Sequence, residues 1–356
     1  MKNAGRNGKV ELWRFIFSIA VMCYHIYKYI LHQPAGSLFF SRGYIGVEFF
    51  FVLSGILMAK SAYAEIQRND NIPLGKSTTR FIRKKISGLM PMHIVVFVML
   101  FTVFCFAKEW SLTGIFENLL ESIPGFFFIR MAGIYGPYVN FPEWYISVML
   151  IAMLMLYPLT RKWYTSFTHI IAPLIALLIL GYLSHEYGGL GSIRVWTPIG
   201  SKPLLRGISE ISLGAVCFEV SRTLKERKMT KRQRTAITVL ETASLAGAIW
   251  MSLDASPEEY DIYALIFLAV ALTCAFSQQS YGEKLFSNEV CTYLGKLSLP
   301  IYLVHRTAWE LVKWLGAPLP DAWRAAAAIG LAIILSIGLL ALNEAYFKRK
   351  LARLAV

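Results

Sequence analysis

Residues 10–32 read VELWRFIFSIAVMCYHIYKYILH, an apolar segment that contains the ionisable residues Glu11, Arg14 and His25. A segment of this length is sufficient to cross the hydrocarbon core as one helix. Ionisable groups are costly in lipid, so a spanning helix retains them where they face protein or a water-filled cavity. At about 100° per residue, the three side chains lie within ~60° of one another. We therefore predict that this helix turns a polar stripe toward the protein interior.

Arg14 and His25 are eleven residues apart, which is roughly 16 Å along a helix and half of the ~30 Å hydrocarbon core. Their side chains therefore cannot touch. A cation near one membrane face and an imidazole toward the other suit a long ligand whose anionic and reactive ends are far apart. Two other interpretations stay open: Arg14 as an interfacial arginine that reaches the head groups, and His25 as a hydrogen-bonded packing residue.

The composition is that of a membrane protein, because 56% of the 356 residues are hydrophobic and 16% are charged. The formal net charge of +14 would suggest nucleic acid as the partner of a soluble protein. Here the basic residues gather in short loops between apolar segments, so we expect no nucleic-acid partner. The five cysteines have no ligand-like spacing, and we predict neither a disulfide framework nor a metal site.

Hydropathy predicts an all-α fold, a polytopic membrane helix bundle of about ten transmembrane helices that forms a single domain over residues 1–356. Basic residues such as those between Arg222 and Arg234 fall on one side, and the acidic residues around Glu258 fall on the other. The positive-inside rule then predicts that both termini are cytoplasmic. The spans are predicted at residues 10–32, 43–63, 86–107, 142–159, 169–184, 204–220, 235–252, 262–277, 294–314 and 324–346.

Two further spans bring ionisable groups to the depth of His25. The second span starts on the outer side and carries Glu48 near its beginning, and the ninth enters from inside and places His305 roughly 16 Å deep. We predict that His25, Glu48 and His305 lie together in the outer third of the membrane and form the catalytic site, although a purely structural His305 stays possible. Ser54 and Gly55 in the second span predict either a close helix crossing or a break that lines a cavity.

The chain before the third span reads RFIRKKISGLMP from residue 80. Such a basic run is either a topological determinant in contact with lipid head groups or a phosphate clamp, because arginine and lysine form charge-assisted hydrogen bonds with phosphate. In the second interpretation these bases share the cytoplasmic face with Arg14. The candidate donor-binding residues are therefore Arg14, Arg83, Lys84, Lys85 and, in the ninth span, Tyr302.

Four segments, in order, resemble the motifs of one family. The first is an arginine separated by ten residues from a histidine, which corresponds to Arg14 and His25. The other three are GVEFFFVLSG at residues 46–55, WYISV from Trp144 and SLPIYLVH ending at His305. With these motifs the chain resembles acyltransferase family 3 nearly end to end. Members of this family are multi-pass membrane proteins, typically bacterial O-acetyltransferases of surface sugars.

The resemblance implies a donor and an acceptor. The donor is acetyl-CoA or another acyl-CoA bound from the cytoplasm, and the acceptor is a hydroxyl of a cell-envelope or exported carbohydrate. By the same resemblance His25 carries the acyl-transfer chemistry, and Arg14 assists donor binding or the architecture of the site. We expect the protein to lie among lipids of the cell inner membrane.

Two departures from the family pattern matter. Many members have arginines three apart before the third-span proline, where this chain has Lys85 and Gly88, so one phosphate contact would fall to neighbouring bases. Many also have a glutamate two residues after the motif serine, where this chain has Met149. The role of that carboxylate, if it is needed, would fall to Glu48 or Glu143.

Two functions of other classes stay open. The first is a transporter or flippase of a lipid-linked or exported saccharide, which ten spans with internal charges allow, although the sequence shows no inverted repeat. The second is a membrane scaffold of a polysaccharide-export complex. Movement of a saccharide without acyl-CoA would favour the transporter, and acylation that survives loss of both Arg14 and His25 would favour the scaffold.

Overall fold

A computed structural model describes residues 7–31, 40–68, 71–134, 139–253, 258–316 and 319–354, and His32, the last residue of the first predicted span, lies outside them. The described residues form an all-α bundle, as predicted, with one short antiparallel hairpin in which β1 (Trp196–Thr197) pairs with β2 (Gly200–Ser201). All five cysteines are free thiols.

The described residues form fourteen α-helices, two π-helical turns and four 3-10 turns. The helices are α1 (Gly8–Ile26), α2 (Gly46–Gln67), α3 (Leu74–Ala107), α4 (Leu112–Glu121), α5 (Ile123–Phe126), α6 (Trp144–Lys162), α7 (Tyr164–Ser166), α8 (Ala172–Tyr187), α9 (Lys202–Glu226), α10 (Lys231–Leu253), α11 (Asp261–Ser277), α12 (Glu283–Phe286), α13 (Glu289–Trp314) and α14 (Asp321–Leu354). The π-helical turns are Tyr27–Leu31 and Phe167–Ile171, and the 3-10 turns are Gly43–Ile45, Arg130–Ala132, Phe141–Glu143 and Glu258–Tyr260.

Each of the ten predicted spans falls on one of the long helices. Among the described helices, eight are long and apolar enough to cross a membrane. The two predicted spans outside that set, α9 and α13, carry several charged residues and bury many of their side chains inside the bundle. Charged residues are tolerated there because neighbouring helices supply partners. The bundle is therefore polytopic, while the count of ten and the cytoplasmic termini stay predictions.

Two pairs of parallel helices organise the interior. We call the end of the bundle at which α1 begins the inner end, and the opposite end the outer end. Helix α1 packs along α13, and this approach requires Gly295, because a Cβ there would lie 2.0 Å from Oε2 of Glu11. Helix α2 packs along α9 in the same way. A residue near the outer end of α1 is therefore level with a residue late in α13.

The crossing of α2 and α9 is made by two glycines. A Cβ on Gly55 would lie 2.1 Å from the Ile211 carbonyl oxygen, and a Cβ on Gly214 would lie 2.2 Å from the Val52 carbonyl oxygen. Helix α2 continues without a break through this point. Of the two predictions for Ser54 and Gly55, the close crossing is therefore confirmed and the break is wrong.

The substitution Gly55→Val is expected to destabilise the fold, because the added side chain forces the backbones of α2 and α9 apart; overpacking of this kind costs about 1–3 kcal/mol. The measurement is thermal unfolding of the detergent-solubilised protein. Gly338→Val in α14 is the matched control, since no atom lies within 4 Å of a Cβ at that position. Equal unfolding temperatures for the two variants would contradict the importance of the crossing.

Candidate active site

His25 and His305 meet where α1 and α13 run side by side. Their rings are stacked with centroids 5.1 Å apart, and Nε2 of His305 lies 3.2 Å from Nδ1 of His25. His305 is fully buried, whereas His25 is partly exposed to a cavity. The structure thus brings together two of the three residues predicted to be catalytic. It places the third, Glu48, against a different partner.

The hydrogen bonds of the pair determine which nitrogen carries each proton. Nδ1 of His305 lies 3.1 Å from the Ile301 carbonyl oxygen, and a carbonyl can only accept, so this nitrogen carries the hydrogen. In a neutral imidazole the other nitrogen is then an acceptor. Nε2 of His305 therefore accepts from Nδ1 of His25. Nε2 of His25 keeps its lone pair and is the nitrogen able to take a proton from a substrate.

Aromatic rings enclose the histidine pair. The ring centroids of Tyr24, Tyr29, Phe141 and Trp309 lie between 5.2 and 6.3 Å from that of His25. Apolar surroundings of this kind lower the local dielectric and strengthen the hydrogen bond between the two imidazoles. The packing also limits rotation of the His25 ring.

His25 borders a cavity at the outer end of the bundle, which we call the outer cavity. This outer cavity has a volume of about 530 Å³ and is lined by His25, Tyr24, Tyr44, Trp144 and Arg206, among others. Aromatic faces and a few polar groups are the surfaces on which small polar ligands are oriented. The outer cavity can therefore admit a small polar ligand beside the imidazole.

A second cavity, of about 660 Å³, extends from the inner end toward the middle of the bundle. Three of the predicted donor-binding residues, Arg14, Lys84 and Lys85, line its inner part, and Tyr302 lines its far end. None of the described residues that line it is acidic. Arg83, the remaining candidate, is exposed and does not line this inner cavity. The chemistry of the inner cavity suits a ligand with a phosphate-bearing end.

One layer of side chains separates the two cavities. Val47 lines the outer cavity and Phe50, one turn later in α2, lines the inner one; likewise Trp144 lines the outer cavity and Tyr145 the inner one. Tyr302 completes this layer: its ring centroid is 5.9 Å from that of His305, and its hydroxyl donates to the Pro142 carbonyl. The inner cavity therefore ends beside the histidine pair without joining the outer cavity.

Glu48 belongs to a buried ionic network and does not contact His25. Its Oε1 is 2.6 Å from Nη2 of Arg206, and Nε of Arg206 donates to Glu210 at 3.0 Å. Arg206 also donates to the Leu190 carbonyl at 3.1 Å. Since Arg206 lines the outer cavity, the network supports one wall of the space that contains His25.

Sequence reasoning missed Arg206, although a signal was present. Arg206 and Glu210 stand four residues apart inside a predicted span, the same pattern of ionisable residues that singled out the first span. Glu143, the other candidate for the missing motif carboxylate, bonds His93 Nδ1 at 2.9 Å and the Asn140 amide at 3.1 Å. Neither carboxylate therefore contacts the histidine pair.

The fold and these cavities define a polytopic helical membrane protein with a pair of histidines between the outer cavity and the inner cavity. Comparison with known protein families gives its class: the chain matches the family described as "Acyltransferase domain" over residues 7–341. It therefore belongs to this acyltransferase family. No curated protein and no solved structure matches the chain.

Proposed function

We propose that this protein is an O-acyltransferase of the cell inner membrane. It moves an acetyl group from acetyl-CoA, bound at the inner end, to a hydroxyl of a cell-envelope or exported carbohydrate in the outer cavity. Membership of the family supports the acyltransferase class. The identity of the donor, the identity of the acceptor and the roles of individual residues are part of the proposal.

The observation that carries the proposal is the position of His25. Its imidazole lines the outer cavity, while its partner His305 contacts Tyr302 at the far end of the inner cavity. A base at this point can serve an acceptor from one side and a donor from the other. Such a base contributes about 10²- to 10⁴-fold when it takes a proton in the transition state.

On the donor side, Arg14, Lys84 and Lys85 bind the phosphates of CoA through charge-assisted hydrogen bonds. The acyl-bearing arm follows the inner cavity as far as Tyr302. The thioester reaches His25 when the Tyr302 ring turns aside and releases its hydrogen bond to the Pro142 carbonyl. In this way the closed layer keeps the two cavities apart until the donor is bound.

The chemical step is a direct transfer. Nε2 of His25 takes the proton of the acceptor hydroxyl as the oxygen bonds to the thioester carbonyl carbon. The carbon–sulfur bond then breaks, the proton passes from His25 to the sulfur, and CoA leaves as the thiol. His305 keeps His25 in the required tautomer, and Glu48 acts through Arg206 as a positioning residue.

The test is transfer of radiolabelled acetyl from acetyl-CoA to envelope carbohydrate in membranes that contain the protein. We expect label that mild alkali releases, because oxygen esters are alkali-labile, and none in membranes without the protein. Unlabelled carbohydrate despite folded protein in the membrane would overturn the proposal. Movement of a saccharide across the membrane without acyl-CoA would support the transporter instead.

A further inference from the structure

A third cavity, which we call the side cavity, opens at the inner end next to the inner cavity. Its volume is about 560 Å³. Arg14, Leu53 and Leu57 line both cavities. Two leucine side chains therefore separate the cavities, and the Arg14 guanidinium stands at their junction.

The side cavity has an excess of positive charge. Arg14, Lys60, Arg222 and Lys225 line it, with Glu11 as its one acidic lining residue among those described. The charge of Arg222 is neutralised by Glu219, which accepts two hydrogen bonds from it.

The other three cations of the side cavity are less fully paired than Arg222. Among the described residues, the ammonium groups of Lys60 and Lys225 have no hydrogen-bond or ion-pair partner. Arg14 donates to Glu11 through Nη1 alone, at 2.9 Å, and its side chain is 28% exposed. Two lysines and one edge of an arginine are thus available for an anion, and lysine and arginine in general form strong hydrogen bonds with phosphate.

Aromatic rings form the rest of the side cavity. Tyr63, Phe218 and Phe276 line it, and the centroids of Tyr63 and Phe218 are 6.1 Å apart. The Arg222 guanidinium lies 5.0 Å from the Tyr63 ring centroid. A planar heterocycle can stack against such surfaces. The side cavity therefore combines features that suit a phosphorylated nucleoside.

We propose that the side cavity binds the adenosine 3′-phosphate part of acyl-CoA, an inference that rests on the proposed function. Acyl-CoA consists, in order, of adenosine 3′-phosphate, a diphosphate and a pantetheine arm with the thioester. The protein offers the side cavity, Arg14 and the inner cavity in the same order. Lys60 and Lys225 bind the 3′-phosphate, Arg14 binds the diphosphate, and the arm extends toward Tyr302.

An anionic lipid head group would present similar phosphate chemistry to Lys60 and Lys225. The two sources differ in the base, because a lipid has no ring to stack among Tyr63, Phe218 and Phe276. They also differ in the pattern of phosphates. Removal of the 3′-phosphate from CoA leaves the diphosphate and the arm unchanged, so 3′-dephospho-CoA reports on this one contact.

The experiment measures binding of CoA and of 3′-dephospho-CoA to the full-length protein in nanodiscs, with and without anionic lipid. The double variant Lys60→Ala, Lys225→Ala is compared with the matched double variant Lys228→Ala, Lys231→Ala, which removes the same charge from exposed residues outside the cavity. We expect the wild type to bind CoA about tenfold more tightly than 3′-dephospho-CoA. The first double variant should lose this difference, and the matched variant should keep it.

Three outcomes would overturn the inference. If Lys60→Ala, Lys225→Ala preserves the preference for CoA while Lys84→Ala, Lys85→Ala abolishes it, the nucleotide occupies the inner cavity. If Lys60→Ala, Lys225→Ala leaves the preference for CoA unchanged and lowers only the amount of anionic lipid that the protein retains, the site is a lipid site. If the wild type binds neither form of CoA and transfers no acetyl group, the proposed function fails together with the inference.

Discussion

Replacement of His25 by alanine is expected to lower the kcat for acetyl transfer by about 10²- to 10⁴-fold, the contribution of a well-placed general base. The reason lies in the hydrogen bonds of the pair, which leave Nε2 of His25 unprotonated beside the outer cavity. Because the His25 side chain does not line the inner cavity, binding of acetyl-CoA should be unchanged. The measurement combines steady-state transfer rates with donor affinity in the same preparation.

The matched control for this experiment is His185→Ala. The His185 side chain is 86% exposed and lies outside the described cavities, so its loss should leave transfer unaffected. Thermal unfolding of both variants tests whether the fold is intact. A stable His25→Ala protein that retains kcat within about tenfold of the wild type would contradict the role of base.

Much of this architecture could be predicted because hydropathy and helix rise are local properties. Each apolar run became a helix, and counting residues from the membrane face gave similar depths for His25 and His305, which the structure brings into contact across 280 positions of sequence. The two histidines are close together because α1 and α13 pack side by side in parallel, so residues at equal depth on the two helices are neighbours. The catalytic roles of these histidines stay predictions.

The partner of Glu48 could not be predicted in the same way. Depth alone puts Glu48 level with His25, but the direction of its side chain depends on the rotation of α2 about its axis. That helix is apolar nearly all round and mostly buried, so no polar stripe marks one face. In the structure Glu48 points toward α9 and Arg206.

The cavities could not be predicted from the sequence either, because their extent depends on the shapes and directions of the packed side chains. Nothing in the sequence distinguishes Leu53 and Leu57, which separate the side cavity from the inner cavity, from other leucines of the spans. The basic run before the third span was also predicted without regard to side-chain direction: Lys84 and Lys85 line the inner cavity, whereas Arg83 is exposed and does not line it. Three consecutive bases on a helix are about 100° apart, so they cannot all share one face.

Replacement of His305 by leucine is expected to lower kcat by about 10²-fold with the KM for acetyl-CoA unchanged. Leucine cannot accept the hydrogen bond from Nδ1 of His25, so the His25 ring loses both its fixed orientation and its fixed tautomer. A misplacement of a reacting group by about 1 Å can cost this much. The measurement is the separate determination of kcat and KM over a range of acetyl-CoA concentrations.

The companion variant His305→Gln separates positioning from packing. The side-chain oxygen of glutamine can accept from Nδ1 of His25, as Nε2 of His305 does at 3.2 Å, so we expect the glutamine variant to recover most of the activity that leucine loses. Both substitutions disturb the buried position of His305, and a role in packing alone would therefore lower stability and activity in parallel. Equal kcat values for the leucine and glutamine variants would show that the hydrogen bond to His25 does not govern transfer, because only one of the two side chains can form it.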